Sequence, residues 1–359
     1  MSPSILNKFD ASLINTLHGR KYSINVSGAR RKLLFYWGSV GSNINTRGTA
    51  FEVSTSPRLI DFGELVKTRI RLDEDKDTSV THIASGWAHS LIAFKSSESK
   101  ITKVFSLGLN SFGQLGHGAI SDKYFCDGPV EGLPQVYKVV CGFDHTILLT
   151  ENDNLYSMGW GADGQLGLGN GNTLDRSVPS LIPKFHSSPI RKIASTADFT
   201  FALLDNGQLW SWGNSEYGQC MTGKKVNKIL EPRRVLVEHK IVDVGAGGSF
   251  GAYVTDAGEV YTCGYGALGL GDRTIDSLRP TRIPDLNNIQ KIYCAADYTA
   301  AISASGELFT WGSGSPSGRL GLGHMKNQFL PMKVMFPQDV IVEQVACGTN
   351  HAIALCIER

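Results

Sequence analysis

The pattern of apolar and polar positions predicts short strands that recur at a fixed interval. The strongest runs end in a large apolar residue followed by glycine. They are Leu34-Phe35-Tyr36-Trp37-Gly38, Val104-Phe105-Ser106-Leu107-Gly108, Leu155-Tyr156-Ser157-Met158-Gly159, Leu209-Trp210-Ser211-Trp212-Gly213, Val260-Tyr261-Thr262-Cys263-Gly264 and Leu308-Phe309-Thr310-Trp311-Gly312. The closing glycines lie 70, 51, 54, 51 and 48 residues apart, a period that marks a propeller. A second run interleaves with the first: an apolar pair, two small residues, two variable positions and an aromatic, then an apolar strand. Ile83-Ala84-Ser85-Gly86-Trp87-Ala88-His89-Ser90-Leu91-Ile92 is one copy, and its counterparts start at Val139, Ile193, Val244, Ile292 and Val345.

Six copies of each run predict an all-β propeller of four-stranded antiparallel blades. The chain opens on a Trp-Gly run and stops just after His351-Ala352-Ile353-Ala354-Leu355. In every internal repeat the second run leads directly into a Trp-Gly run. The N- and C-terminal strands are therefore expected to share one blade and close the ring, which removes exposed sheet edges. A seventh blade would have to lie in the stretch from Gly38 to Val80, where Asp73-Glu74-Asp75-Lys76-Asp77 reads as a solvated loop. The domain assignment is one propeller over residues 33–359, preceded by a presequence and linker over residues 1–32.

Composition agrees with many strands and tight turns, for 40 of 359 residues are glycine, against a usual ~7%. The net charge of +2 hides an asymmetry: Lys8, Arg20, Lys21, Arg30, Arg31 and Lys32 against Asp10 give the first 34 residues +5, leaving −3 for the rest. The body thus lacks the global basic field that drives indiscriminate nucleic-acid binding. Seven cysteines with no C-x-x-C and no regular pairing do not form a disulfide framework. No apolar run approaches the ~18 residues of a membrane span.

The N-terminus reads as an address. Ile5, Leu6, Phe9, Leu13, Ile14 and Leu17 stand at helical spacing among Ser, Thr and Asn, an amphipathic pattern rather than a secretory block. Arg20-Lys21-Tyr22-Ser23 is similar to mitochondrial processing sites, with cleavage expected after Tyr22. A disordered tail or a surface helix is the alternative.

Each motif that suggests catalysis has a repeat-based explanation. Gly159-Trp160-Gly161-Ala162-Asp163-Gly164 and Gly264-Tyr265-Gly266-Ala267-Leu268-Gly269 both satisfy the dinucleotide fingerprint, yet neither opens the helix whose N-terminus would meet a pyrophosphate. Gly218-Gln219-Cys220-Met221-Thr222-Gly223-Lys224-Lys225 approaches a P-loop, but Lys225 stands where the Mg²⁺-binding hydroxyl belongs. His89, His145 and His351 share their register with Phe199, Phe250 and Tyr298, which neither ligate metals nor shuttle protons. Cys141, Cys294 and Cys347 alternate with Ser85, Ser195 and Ala246, while Cys263 fills a Trp slot. Gly-Gln-Leu-Gly at Gly113–Gly116 and Gly164–Gly167, with Gly318-Arg319-Leu320-Gly321, reads as tight turns needing positive φ and close inter-blade approach. No cofactor, metal site or catalytic set is expected.

One local feature remains as a candidate contact. Lys224, Lys225, Lys228, Arg233 and Arg234 lie in an eleven-residue span whose only acid is Glu231. Such a density suits RNA phosphates or an acidic partner; a solvated loop is the other reading.

The alternation of Trp-Gly-x-x-x-x-Gly-Gln-Leu-Gly with the Ala-x-Gly-x-x-His-like strand resembles the regulator-of-chromosome-condensation repeats over essentially residues 33–359. Lys103–Asn110, Gly159–Gly167, Trp212–Cys220 and Cys263–Leu268 are similar to the mitochondrial, guanine-exchange-factor-like branch rather than the nuclear one. The resemblance implies an interaction propeller of the mitochondrial matrix. Its implied partners are ribosome-assembly proteins and rRNA, or a GTPase of inner-membrane fusion on which it would act as exchange factor; an adaptor for another protein is the third reading. No small-molecule substrate is implied, and peripheral association with the inner membrane is compatible with it. The nuclear branch exchanges nucleotide with a wedge inserted in one blade, and the even intervals after Gly108 leave no room for a sizeable one. No exchange residue is therefore carried over.

Overall fold

Twenty-three strands and no helix make up residues 32–40, 52–59, 78–96, 102–120, 128–169 and 171–359, which the computed structural model describes. Residues 1–31 of the expected presequence, the acidic cluster at residues 73–77 and Cys126 lie outside them.

The strands form six antiparallel sheets. β1 (Lys32–Val40) and β2 (Glu52–Leu59) begin the chain. Blade 2 is β3 (Thr78–Ser85), β4 (His89–Ser96) and β5 (Thr102–Gly108), three strands among the described residues. Blade 3 is β6 (Val136–Cys141), β7 (His145–Thr150), β8 (Leu155–Gly159) and β9 (Arg176–Leu181). Blade 4 is β10 (Ile190–Ser195), β11 (Phe199–Leu204), β12 (Leu209–Asn214) and β13 (Lys228–Arg234). Blade 5 is β14 (Ile241–Ala246), β15 (Phe250–Thr255), β16 (Val260–Tyr265) and β17 (Asp276–Arg282). Blade 6 is β18 (Ile289–Cys294), β19 (Tyr298–Ser303), β20 (Leu308–Gly312) and β21 (Gln328–Lys333). β22 (Val340–Cys347) and β23 (His351–Glu358) complete blade 1 in the order β2-β1-β23-β22.

Blade 1 is the shared blade that the chain ends predict. Its register runs from Lys32 opposite Ile357 to Gly38 opposite His351. The stretch between Gly38 and Val80 supplies β2, the outer strand of this blade. In each blade the first strand lies innermost, and in blades 3 to 6 the second is its most buried; β7, β11, β15 and β19 are buried at every residue.

A recurring hydrogen bond explains the Trp-Gly slot. Trp37 Nε1 donates to the Arg319 carbonyl (2.7 Å), Trp212 Nε1 to the Gln165 carbonyl (3.0 Å) and Trp311 Nε1 to the Ala267 carbonyl (3.1 Å). In each case the indole belongs to one blade and the carbonyl to a loop of the preceding blade. Cys263, in the same slot of blade 5, turns its Sγ to the Gly218 carbonyl of blade 4 at 3.1 Å. The loop is pinned from its own blade by a hydroxyl two residues before the strand-ending glycine. Ser106, Ser157, Ser211 and Thr310 donate to the carbonyls of Leu115, Leu166, Cys220 and Leu320 at 2.8, 2.7, 2.8 and 2.7 Å.

Gly167 shows why the last loop position is glycine. Its φ is +66°, and a Cβ there would stand 2.9 Å from Trp212 Nε1. A side chain would meet both a backbone penalty and the latch itself.

Blade contacts run in order from β3, β4 and β5 against β6 round to β18 and β19 against β22. No comparable strand contact joins blade 1 to blade 2 among the described residues. Ile83 is accordingly 74% exposed and Trp87 70%, whereas Val139, Ile193, Val244, Ile292 and Val345, in the register of Ile83, are at most 5% exposed. Blade 2 thus presents an apolar flank that every later blade buries.

Candidate interaction surfaces

The loops between first and second strands, and those after the third strands, open on the same end of the ring. This loop face carries a ladder of contacts between successive blades. Phe112 of blade 2 meets Trp160 of blade 3 with ring centroids 5.9 Å apart, and Tyr217 of blade 4 meets Tyr265 of blade 5 at 5.3 Å. Between these pairs Asn214 Nδ2 donates to Asp163 Oδ2 at 2.9 Å. Tyr217 and Tyr265 are both exposed, so their rings offer an amphipathic surface to a partner.

Carboxylates surround this ladder. Asp144 and Asp198 each stand one residue before the aromatic or histidine column, and Asp163 sits in the neighbouring loop. Burial, followed by the charges of Asp144 and Asp163, pushes the Asp198 carboxyl up to about 6. Its Oδ1 is buried without a hydrogen-bond partner. Asp144 is also raised by burial, and Gln114 Nε2 approaches its Oδ1 at 3.4 Å. The result is an acidic and aromatic face. Around Asp144, Asp163 and Asp198 it favours a cationic or mixed protein surface, while the loop before β13 carries Lys224 and Lys225 to the same end of the ring.

The histidine column is part of the core. His89 and His145 are 3% and 0% exposed. His89 Nε2 lies 3.1 Å from Thr146 Oγ1, and His145 Nε2 lies 3.2 Å from Ser195 Oγ. Burial drives His89 down to about 4; burial and the neighbouring His89 drive His145 down to about 3. Both rings are neutral at physiological pH. The His145 ring lies on Gly142, where any Cβ would collide with it, and this accounts for the glycine three positions ahead of it.

The six described cysteines are equally unreactive. Burial lifts the thiols of Cys141, Cys220, Cys263, Cys294, Cys347 and Cys356 to about 12, so they carry negligible thiolate. No group of three His, Cys, Asp or Glu side chains is placed to hold a metal among the described residues. The two fingerprint glycine runs and the Gly218–Lys225 segment are blade loops that precede no helix.

The five basic residues are exposed along the outer edge of blade 4. Lys224 and Lys225 lie in the loop before β13, and Lys228 Nζ donates to the Ala162 carbonyl at 3.2 Å, next to the loop face. Arg233 and Arg234 pair opposite Ser211 and Trp210, toward the other end of the blade. At ~3.3 Å per residue the strand spreads Lys228 and Arg234 about 20 Å apart. The structure places Lys228, Arg233 and Arg234 along one strand and Lys224 and Lys225 in the loop ahead of it, rather than all five around a pocket.

Sequence reasoning missed the acidic and aromatic ladder. Its signal is visible once the repeats are superposed: Phe112, Asp163 and Tyr217 share one loop position, and Trp160 and Tyr265 share another.

Comparison with known proteins agrees with the repeat. The signature of the regulator of chromosome condensation (RCC1) repeat matches residues 103–149, 152–203, 206–254, 257–302 and 305–355. The chain is 32% identical over 330 residues to the RCC1-like G exchanging factor-like protein of mouse, covering 86% of this chain and 67% of the relative. It is 31% identical over 329 residues to the human counterpart, covering 86% and 66%. The chain thus spans about two thirds of the length of these relatives. Among solved structures, human WBSCR16 superposes with a TM-score of 0.77 at 26% identity, over 92% of this chain and 100% of that one. Yeast RCC1 (Prp20), solved bound to Kap60, shares the fold with a TM-score of 0.63 at 19% identity, over 92% and 90%.

Proposed function

This chain belongs to the regulator of chromosome condensation repeat family, and from that premise we propose that it is a non-catalytic interaction propeller of the mitochondrial matrix that supports ribosome assembly by contacting rRNA. The observation that carries the RNA contact is the exposed basic edge of blade 4, where Lys224, Lys225, Lys228, Arg233 and Arg234 face solvent with Glu231 as the single acid. The amphipathic, basic N-terminal sequence supports the compartment. The exposed aromatic pair Tyr217–Tyr265 of the loop face is left to protein partners. Full-length protein carrying Lys→Glu and Arg→Glu at these five positions is expected to lose most of the rRNA that the wild type recovers from mitochondrial extract. The wild-type interaction should weaken with salt at a log–log slope of about −3.5 if all five cations meet single-stranded phosphates. Recovery of rRNA that ignores both the reversal and the salt overturns this reading.

A second reading rests on the mouse and human relatives, whose name describes a G exchanging factor-like protein. Here a propeller face would bind the nucleotide-free state of a mitochondrial inner-membrane fusion GTPase more tightly than its loaded state, and so speed nucleotide release. The loop face, with its exposed Tyr217 and Tyr265, is the surface suited to it. Labelled GDP should then leave the GTPase faster in the presence of the full-length chain. No acceleration at micromolar protein rules this activity out for the GTPase tested.

A further inference from the structure

At the axis of the ring, the inner strands bring residues of successive repeats together at one level. His82, Lys138, Lys192, Asp243, Lys291 and Gln344 hold the same register position on β3, β6, β10, β14, β18 and β22, each just past the bulge of its strand. Lys138, Lys192, Asp243 and Lys291, with Arg191 and Asp256, line a cavity of about 740 Å³. It opens toward the hairpin between β15 and β16, at the end of the ring opposite the loop face. This volume is in the range of small-molecule sites.

The charges in it do not balance. Four cations line the cavity against two carboxylates, and the inner carboxylate is already engaged. Asp243 Oδ1 accepts from Lys192 Nζ at 2.6 Å, while its Oδ2 accepts from the Ile292 backbone N–H at 2.7 Å. Lys291 Nζ donates to the Glu343 carbonyl at 2.7 Å. Lys138 is half-buried and makes neither a hydrogen bond nor an ion pair among the described residues, and the same holds for the exposed Arg191. Burial first, and the neighbouring Lys192 second, lower the Lys138 pKa. A recessed site with surplus like charge focuses its field on an anion of opposite sign. Its donors are an ammonium and a guanidinium, the pair best suited to phosphate oxygens.

We propose that this axial cavity is a phosphate-binding site, in which Lys138 and Arg191 hold the phosphate group of a compact ligand and the Lys192–Asp243 pair forms the rigid wall behind it. The phosphate can come from a free polyphosphate-bearing small molecule or from the 5′ end of an RNA; the chemistry at the cavity is the same. The inference stands apart from the rRNA reading, which uses the outer edge of blade 4.

The test is calorimetric titration of the full-length chain, at low salt, with inorganic tripolyphosphate and with one oligoribonucleotide in 5′-phosphorylated and unphosphorylated form. Tripolyphosphate is expected to bind at one site per chain. Lys138→Gln and Arg191→Gln should each weaken it about tenfold, the value of one charge-assisted contact. Charge reversal at Lys224 and Lys225 should leave it unchanged. Saturable binding of the 5′-phosphorylated oligonucleotide alone, with the same sensitivity to Lys138→Gln, supports the site and identifies an RNA end as the source. Failure of both phosphate probes to saturate, or binding indifferent to Lys138→Gln and Arg191→Gln, overturns the proposal. Lys138→Gln removes a charge that burial disfavours, so its urea midpoint should not fall below that of the wild type; this control separates lost binding from lost fold.

Discussion

Chemical unfolding of this propeller is expected to require about 3 kcal/mol less free energy at pH 4 than at pH 6.5, through the titration of a few buried groups. His89 and His145 are held neutral in the fold, at about 4 and about 3, whereas in the unfolded chain they titrate near ~6.5. The unfolded chain therefore binds more protons throughout this window. The stability these groups contribute is fully present above pH ~6.5 and is lost as pH falls toward their folded values. Together they account for a loss on the order of 5 kcal/mol. Asp198 opposes them: raised to about 6, it takes up a proton in the folded state first and returns roughly 2 kcal/mol over the same interval. The His145→Phe variant separates the contributions, because Phe199 and Phe250 already fill this column in blades 4 and 5. It should remove about half of the histidine loss, roughly 2.5 kcal/mol, and so leave the net pH profile nearly flat. A variant with the wild-type slope would show that His145 does not carry the effect.

The second large effect concerns the indole latch. Trp212→Ala should lower stability by about 3–5 kcal/mol, the usual cost of deleting a fully buried aromatic. Trp212 is 0% exposed and belongs to the cluster that joins Phe199, Phe201, Leu209 and Ile229. Trp212→Phe keeps most of the ring but leaves the Gln165 carbonyl without its donor, and should cost about 1–3 kcal/mol. Trp210, two residues earlier, is the control. Its Nε1 has no hydrogen-bond partner, so Trp210→Phe forfeits no bond and should cost less than Trp212→Phe. Urea midpoints measured with unchanged m-values decide the matter. Equal costs for the two Trp→Phe variants would mean that the latch bond adds nothing to ring packing.

The fold was legible because it is written in every repeat. The Trp-Gly run, the small residues ahead of the histidine column and the split unit at the chain ends each have a local cause that recurs. Trp37, Trp212 and Trp311 meet a loop carbonyl in the same way, and β1 joins β23 as the interrupted repeat requires. The same column comparison correctly reduced His89 and His145 to packing residues, which their burial now explains. The pinning hydroxyls of Ser106, Ser157, Ser211 and Thr310 were present in the repeat as well, but an isolated hydroxyl in a strand does not announce which carbonyl it will find.

Surfaces were far less legible, and the reason is geometric. Lys224 to Arg234 form one cluster in sequence, yet an extended strand draws neighbours in sequence apart along the rim. Lys138, Lys192 and Lys291 stand 54 and 99 residues apart, yet the radial convergence of the inner strands sets them around one cavity. The loop face repeats this lesson, for Asp144, Asp163 and Asp198 belong to three loops and interact only because successive blades stand side by side. The exposed flank of Ile83 belongs here too, since its run reads like that of the buried Ile193.

The sequence by itself determined the ring of β-blades, their number and the blade shared by the two ends, because strand periodicity and turn chemistry act over a few residues. Only the tertiary structure decided which charges meet, which aromatic rings stand in solvent and which flank is exposed among the described residues, because those depend on how separate blades are placed around a common axis.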